Sequence, residues 1–236
     1  MLKSVFYPNK ANSYAWANVF LLIVLVAIGK VEAYAILFGY FLETIIIGIF
    51  NIFKMYLAYR HNDKKASIFG TIVFFIMHYG GFVAIQSIFL FAIFSFGKNS
   101  FINEPFNIIE NFEAVMKLDG MDLILTILVG TQLIKFILDF LMPKKYELFT
   151  VNEIMFKPYF RIFIQQFTVI IGSFFIVFSE GSVMAAMLLI FLRFIVDFLF
   201  VAIREDSKFL GYVINRIYNG KVSKPELKKQ LLLITE

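Results

Sequence analysis

Charged and amide side chains stand inside stretches of this chain that are otherwise apolar enough for lipid. The stretch YFLETIIIGIFNIFKMYLAYR, from Tyr40 to Arg60, contains Glu43, Asn51 and Lys54. On a helix, Glu43 and Lys54 lie only about 20° apart, and Asn51 lies about 80° from Glu43. Burying a charge in hydrocarbon costs about 3 kcal/mol or more, so such residues usually face the interior of a helix bundle. We therefore expect these three side chains to share one inward stripe.

A second pattern, a base followed by an acid, occurs twice further along the chain. LIKFILDFL places Lys135 four residues before Asp139, and FLRFIVDFL places Arg193 four residues before Asp197. Residues four apart lie on the same face of a helix, so each pair can neutralise itself. The two segments either share a role or arose by duplication, or they resemble each other by chance because both are rich in phenylalanine.

The elements that carry these residues are predicted to be transmembrane helices. The chain of 236 residues is 60% hydrophobic and has a mean hydropathy of +0.81, whereas soluble domains are about 45–50% apolar. A spanning helix needs about 20 mostly apolar residues, and the runs do not alternate as β-barrel strands do. We predict an all-α fold, a polytopic membrane bundle of about six transmembrane helices within residues 1–203. The predicted spans are Ser13–Gly29, Val31–Tyr59, Ile68–Phe96, Leu123–Leu141, Tyr159–Phe178 and Ser182–Ile203.

Basic residues predict the orientation of this bundle. Fifteen of the 22 Lys and Arg residues lie in the N-terminal segment, the second and fourth loops and the tail, and three lie in the other loops. The positive-inside rule then places both termini in the cytoplasm, and we expect a bacterial inner membrane protein. Residues 204–236 are predicted to form a basic cytoplasmic tail, either simply solvated or in contact with anionic lipid.

The first apolar segment has an alternative interpretation. Two lysines, the run VFLLIVLVAIG and then EAYA also fit a cleaved signal peptide. We expect an uncleaved first helix, because the apolar run starts late and a second span follows at once.

Further polar residues within the predicted spans include His78, Gln86, Arg161 and Gln166. Counted at about 1.5 Å per residue from the cytoplasmic end of each span, most polar groups fall in the inner half of the bilayer. Glu43 and Gln86 fall deeper, at roughly 24–27 Å. We expect a polar network, with a cavity that opens toward the cytoplasm. Such a network either only locks the helices together, or lines a path for a proton, ion or solute, or carries chemistry.

Several classes of site are excluded by the residues the chain lacks. It contains no cysteine, which excludes disulfides, thiolate nucleophiles, zinc–thiolate sites and iron–sulfur clusters. It also has no G-x-S-x-G, H-E-x-x-H, P-loop or G-x-G-x-x-G motif. His78 could relay protons, bind a metal or simply form a hydrogen bond. We predict no cofactor and no nucleic-acid partner, and the bilayer as the partner.

Three stretches together resemble an uncharacterised family of bacterial polytopic membrane proteins, a domain of unknown function. They are FLETIIIGIFNIFKM, FFIMHYGGF and KPYFRIFIQQFTVIIGSFF. The residues that match the family pattern are Glu43, Gly48, Asn51, Lys54, His78, Tyr79, Gly80, Phe82, Tyr159, Arg161 and Gly172. The resemblance implies no known activity. The family pattern has further histidines where this chain has Gln86 and Gln166; three histidines would suit a transition metal or haem, whereas one histidine with two glutamines favours hydrogen bonding.

These observations lead to one functional hypothesis and two alternatives. The hypothesis is a membrane protein whose polar core moves or senses a small solute or ion. Glu43 and His78 would be the titratable pair, and Asn51, Lys54 and Arg161 would hold the network. The first alternative is an intramembrane enzyme or metal-binding redox component built on His78. The second is a non-catalytic membrane subunit.

Overall fold

The chain folds into helices joined by short connections. The computed structural model describes residues 7–8, 13–62, 68–97, 100–179, 183–203, 208–220 and 222–235, and these contain no β-strand. The predicted all-α class is confirmed. The helices are α1 (Ser13–Ala27), α2 (Ala33–Asn62), α3 (Ile68–Ser95), α4 (Ile108–Met116), α5 (Met121–Lys135), α6 (Lys145–Leu148), α7 (Val151–Phe178), α8 (Val183–Ala202), α9 (Lys208–Ile217) and α10 (Lys224–Thr235). A π-helical turn, Phe136–Leu141, continues α5.

Four helices in the described part of the chain are long and apolar enough to cross a membrane. They are α2, α3, α5 with its π turn, and α7. The apolar helix α1 has 15 residues, fewer than the roughly 20 that a straight span needs. Helix α8 has 20 residues but is not among the four. Four of the six predicted spans are therefore helices long and apolar enough to cross a membrane.

Helix α2 is the central element of the bundle. It packs against α3, α5, α6, α7 and α8. Phe38 and Phe41 on α2 are fully buried, and Phe38 contacts the Phe91 and Phe94 rings of α3 at centroid distances of 6.1 and 4.8 Å. Large aromatic side chains bury much apolar surface, so the core forms around α2. A polar residue on α2 is consequently surrounded by other helices.

The helices around α2 begin and end at residues whose chemistry favours a boundary. Thr150 and Glu153 form a capping box at the start of α7, which lies eight residues before the predicted start at Tyr159. Gly120 precedes α5 with φ of +80°, and a Cβ at this position would lie 2.6 Å from the Lys30 carbonyl oxygen. Only glycine fits there. This glycine lets the α1–α2 turn approach the α4–α5 turn closely.

Hydrogen bonds group the connections at two opposite ends of α2. At its beginning, the Asp119 amide donates to Glu32 Oε1 at 3.1 Å. At its end, Asn62 Nδ2 donates to the carbonyl oxygens of Tyr146 at 2.8 Å and Phe149 at 3.3 Å. Lys64 and Lys65, two basic residues of the α2–α3 loop that the predicted orientation places in the cytoplasm, lie outside the described residues. The turn before α2 and the connection from α3 to α5 thus share one end of the molecule.

The tail helix α10 lies at the other end, beside the start of α7. It packs against α7, and Lys229 Nζ forms an ion pair with Glu153 Oε1 at 2.5 Å. The hydrogen bond that Lys229 donates to Glu153 raises the pKa of Lys229 above its ordinary value. Surface pairs of this kind contribute little stability. The tail is therefore helical in part and touches the bundle.

Candidate functional site

Glu43 is the most deeply buried charged side chain that the structure describes. It is 1% exposed and lies ten residues into α2. Arg193 Nη2 of α8 contacts Glu43 Oε2 directly, and Arg161 Nη2 of α7 lies 3.7 Å from Glu43 Oε1. Gln132 Nε2 of α5 donates a hydrogen bond of 2.8 Å to Glu43 Oε1. One carboxylate therefore joins the central helix to three of its neighbours.

A second carboxylate, Asp197 of α8, completes a ring of ion pairs. Arg193 Nε lies 3.2 Å from Asp197 Oδ2, and Arg161 Nη2 lies 3.7 Å from Asp197 Oδ1. Each arginine thus contacts both carboxylates. The Arg193–Asp197 pair has the four-residue spacing seen in the sequence, and here it is joined to a larger network.

Lys135 at the end of α5 belongs to the same group. It lies close enough to Glu43, Asp197 and both arginines to interact with them electrostatically. We call these five residues, Glu43, Lys135, Arg161, Arg193 and Asp197, the charged cluster. It brings together four helices that are distant in sequence. Ion pairs in a low-dielectric interior are strong only when the partners are well placed, and here each carboxylate has two arginine partners.

The surroundings of the charged cluster combine an aromatic ring with a small cavity. The guanidinium carbon of Arg193 lies 4.0 Å from the centre of the Tyr40 ring, a cation–π arrangement. A cavity of about 20 Å³ is bordered by Tyr40, Thr168 and members of the cluster. A polar cavity needs about 10–15 Å³ to hold one water molecule. The space beside the cluster therefore accommodates one species of about that size.

The other predicted residues of α2 lie outside the charged cluster. Asn51 is 4% exposed, and its Nδ2 has no hydrogen-bond partner among the described residues. Lys54 is half-buried, with Nζ 5.4 Å from the centre of the Phe140 ring. Glu43 and Asn51 are thus both buried, whereas Lys54 is half-buried beside the π turn that continues α5.

Three further predicted residues are not among the five that define the charged cluster. Gln166 of α7 is 6% exposed and Gln86 of α3 is half-buried. Each has one buried amide atom without a hydrogen-bond partner in the described part of the chain, Nε2 of Gln166 and Oε1 of Gln86. Asp139 is half-buried in the π turn that follows Lys135.

His78 lies on the outer side of α3 and does not contact the charged cluster. Its Nδ1 is 2.9 Å from the Tyr159 hydroxyl oxygen, and its ring stacks on Phe74 at 5.4 Å. Among the residues the structure describes, no group of three or more His, Asp or Glu side chains is arranged to hold a metal ion. The predicted pair of Glu43 with His78 is therefore not a contact pair, and the metal role of His78 stays a prediction.

A separate contact between α2 and α3 involves residues of the family pattern. The Tyr79 hydroxyl donates to the Thr44 carbonyl oxygen at 2.7 Å. A Cβ at Gly48 would lie 2.6 Å from the Tyr79 ring, whereas a Cβ at Gly80 would meet nothing within 4 Å. Gly48 is therefore the residue that allows close approach of these two helices. The two glycines near His78, Gly80 and Gly81, do not have this role.

Sequence reasoning missed two contributors, Gln132 and Tyr40. Gln132 stands three residues before Lys135, and Tyr40 stands three residues before Glu43. Residues three apart share a helix face, so this spacing was the signal available. It has little weight alone, because a glutamine or tyrosine in an apolar helix commonly serves packing.

The comparisons with known proteins give a family without a known activity. No curated protein and no solved structure matches the chain. A family model matches residues 1–209, which is most of its length. The chain therefore belongs to the family of unknown function DUF6498.

Proposed function

We propose that this protein is an integral membrane protein that moves or senses a small ion or polar solute at the charged cluster. The observation that carries the proposal is the position of Glu43, buried on the central helix and paired with arginines of α7 and α8. Ionisable side chains inside membrane helices are costly, and where they occur they mark ion and proton paths. The small cavity beside them provides a place for the transported or sensed species.

The proposal includes six transmembrane helices. Four of them are long and apolar enough to cross a membrane, and α1 and α8 are the two further helices proposed as spans. Helix α1 packs against α8. The Trp16 ring lies edge-on to the Phe194 and Phe198 rings at 4.9 and 5.5 Å. A short apolar helix can be accommodated by local thinning of the bilayer. These contacts support α1 as part of the bundle.

The proposed orientation rests on the charges at the two ends of α2. The connection from α3 to α5 carries Glu104, Glu110, Glu113 and Asp119, and it lies at the end that contains Glu32. The opposite end carries Arg60, Lys144, Lys145 and the basic tail. By the positive-inside rule, the basic end and both termini face the cytoplasm. A bacterial inner membrane is the location that the family resemblance implies.

The absence of cysteine from the sequence makes this orientation directly testable. Glu110→Cys and Lys145→Cys introduce one thiol at each end. In intact cells, a membrane-impermeant maleimide should label Glu110→Cys at once, and Lys145→Cys only after permeabilisation. The reverse order of labelling would contradict the orientation.

The proposed activity is tested by flux into liposomes that contain the purified protein. The probes are protons, potassium, and chloride, each followed separately with an imposed gradient. We expect one of them to pass in the wild-type protein and to stop in Glu43→Gln. Glu110→Gln is the matched control, because it makes the same change at an exposed position and should keep the wild-type rate.

Two outcomes would overturn the proposal. One is a folded wild-type protein that passes none of the three probes and changes its thermal stability with none of them. That result would leave the charged cluster as a device that locks helices together. The other is a flux that Glu43→Gln and Glu110→Gln leave equally unchanged.

A further inference from the structure

We propose that a groove between α2 and α3, bordered by Gly48, Gly80 and Phe112, holds one acyl chain of a bilayer phospholipid. The inference rests on the membrane location in the proposed function, and is independent of the ion or solute that the charged cluster takes. Three features of the α2–α3 groove carry it: the chemistry of its wall, its dimensions and its position beside α4.

The wall of the α2–α3 groove is almost wholly apolar. Residues of α2, α3 and α4 form it, and only Tyr79 and Ser87 among them have polar side chains. The Tyr79 hydroxyl donates to the Thr44 carbonyl oxygen at 2.7 Å, and Ser87 Oγ donates to the Val83 carbonyl oxygen at 2.8 Å. Water in the groove would therefore find few hydrogen-bond partners, whereas a buried water commonly has about three. The occupant that suits this wall is a hydrocarbon.

The dimensions of the groove fit a single chain. Its volume is about 320 Å³, whereas an engineered cavity of about 150 Å³ already holds benzene. On α3 the groove extends from Phe75 to Ser87, which is roughly 18 Å at 1.5 Å per residue. The hydrocarbon of one bilayer leaflet is about 15 Å thick. A helix of a second copy, about 10 Å across, would occupy roughly 1,400 Å³ over that length and is too wide.

Helix α4 covers one end of the groove and indicates the depth of that end. Phe112 of α4 borders the groove and contacts the Phe91 ring, one turn beyond Ser87, at a centroid distance of 5.4 Å. On its other sides α4 exposes the apolar Ile109 and the acidic Glu110. A helix with separate apolar and charged faces is suited to the boundary between headgroups and acyl chains. The groove thus runs from that boundary into the hydrocarbon, as an acyl chain does.

The groove opens onto the apolar outer surface of α2 and α3. Ile49 and Ile76 border it and are about half exposed, and a Cβ at Gly80 would meet nothing within 4 Å. Phe53 and Met77 beside them are exposed as well. In a membrane, lipid covers this surface, so an acyl chain reaches the groove without leaving the bilayer. The chain is held by van der Waals contacts in a space that would otherwise be empty.

Two adjacent glycines of α3 provide matched variants. Gly80 borders the groove and Gly81 does not, while a Cβ at either position meets nothing within 4 Å. Gly80→Phe therefore places a ring in the groove, and Gly81→Phe places the same ring outside it. Both replace a helical glycine, so their effects on helix propensity are equal. Thermal melting identifies which variants are folded.

Bound lipid is counted by native mass spectrometry of the full chain, purified in mild detergent and incubated with dioleoyl phosphatidylglycerol. Removal of the detergent in the gas phase should leave one phospholipid on wild type and on Gly81→Phe, and none on Gly80→Phe. Equal retention by the two variants would overturn the proposal. So would a wild-type chain that keeps no phospholipid, keeps only a fatty acid or a polyprenyl compound, or keeps a second copy of itself that Gly80→Phe releases.

A second measurement uses the wild-type protein alone and keeps the proposal testable if Gly80→Phe does not fold. The protein is reconstituted into dioleoyl phosphatidylglycerol vesicles with a trace of phosphatidylglycerol that carries a diazirine in its acyl chain. After illumination, cross-links located by peptide mass spectrometry should be most frequent at Val83 and Ala84, which border the groove. Equal or higher yields at Ile85 and Phe89, which are more exposed and lie outside it, would overturn the proposal.

This inference and the proposed function can fail separately. No residue that borders the groove belongs to the charged cluster, so Gly80→Phe should leave a flux that depends on Glu43 unchanged. Retained lipid without any flux would support the groove and contradict the proposed activity. A flux without retained lipid would overturn this inference alone. Extraction of the protein from membranes by sodium carbonate would contradict the membrane location and overturn both.

Discussion

Helices α2 and α3 are similar in length and apolarity but differ in where they place their polar residues. They have 30 and 28 residues, and both are apolar enough to span a membrane. In an apolar 18-residue stretch of α2, 61% of the residues are buried, whereas in the corresponding stretch of α3 the share is 17%. Glu43 on α2 therefore contacts three other helices, and His78 on α3 contacts one tyrosine at the outside of the bundle.

The difference shows that the position of a helix decides what a polar residue on it can do. A carboxylate on the central helix is desolvated, so it must be paired, and pairing it organises its neighbours. A histidine on a peripheral helix, by contrast, needs only one hydrogen bond within the protein. Of the two groups that we expected to form the titratable pair, only Glu43 lies in a network of charges.

Loss of the Glu43 charge should produce the largest effect on stability. Glu43→Gln leaves two arginines partly unpaired in the interior, which costs about 3–5 kcal/mol. His78→Gln on α3 should cost less than about 1 kcal/mol, because its single bond is exposed. The free energy of unfolding is measured by titration with SDS in mixed micelles, followed by fluorescence of the single tryptophan, Trp16. Equal losses in the two variants would show that central position does not matter.

A change in packing should produce an effect of intermediate size. Gly48→Ala would place a methyl group 2.6 Å from the Tyr79 ring, and overpacking of this kind costs about 1–3 kcal/mol. Gly80→Ala is the control on α3, where the added methyl group meets nothing within 4 Å; it should be neutral or stabilising by up to about 1 kcal/mol. The same SDS titration measures both. A larger loss in Gly80→Ala would mean that α3 has a neighbour at that face.

Loss of one buried hydrogen bond should produce the smallest effect. Tyr79→Phe removes the bond to the Thr44 carbonyl oxygen, with an expected cost of about 1 kcal/mol. Tyr159→Phe removes the exposed bond to His78 and should cost less than about 0.5 kcal/mol. Thermal melting of the two variants side by side gives the order. A larger loss of stability in Tyr159→Phe than in Tyr79→Phe would contradict the burial of the hydrogen bond between α2 and α3.

The sequence predicts the helices well, because long apolar runs leave little choice of structure in lipid. It also predicts that Glu43 turns inward, since an ionised carboxylate has no stable place on the lipid side. The Arg193–Asp197 pair follows from spacing alone. These predictions depend on local patterns, which a single sequence contains.

The contacts between helices could not be predicted in the same way. Depth counted from the predicted span ends placed Glu43 far from Arg161, yet their charged groups lie 3.7 Å apart. The count failed because α7 begins at Val151 and because helices of unequal length do not end at one level. The sequence pattern also does not show which face of α3 turns outward, because apolar residues occur on all sides of this helix. For this reason the outward position of His78 was not predicted.

A double-mutant cycle on Glu43 and Arg193 tests most directly whether the charged cluster is one coupled unit. The variants are Glu43→Gln, Arg193→Gln and the double variant, with His78→Gln and Tyr159→Phe as the second cycle. The structure predicts a coupling free energy of about 1.5–3 kcal/mol between Glu43 and Arg193, and less than about 0.5 kcal/mol between His78 and Tyr159. Additive effects of Glu43→Gln and Arg193→Gln, within about 0.5 kcal/mol, would contradict it.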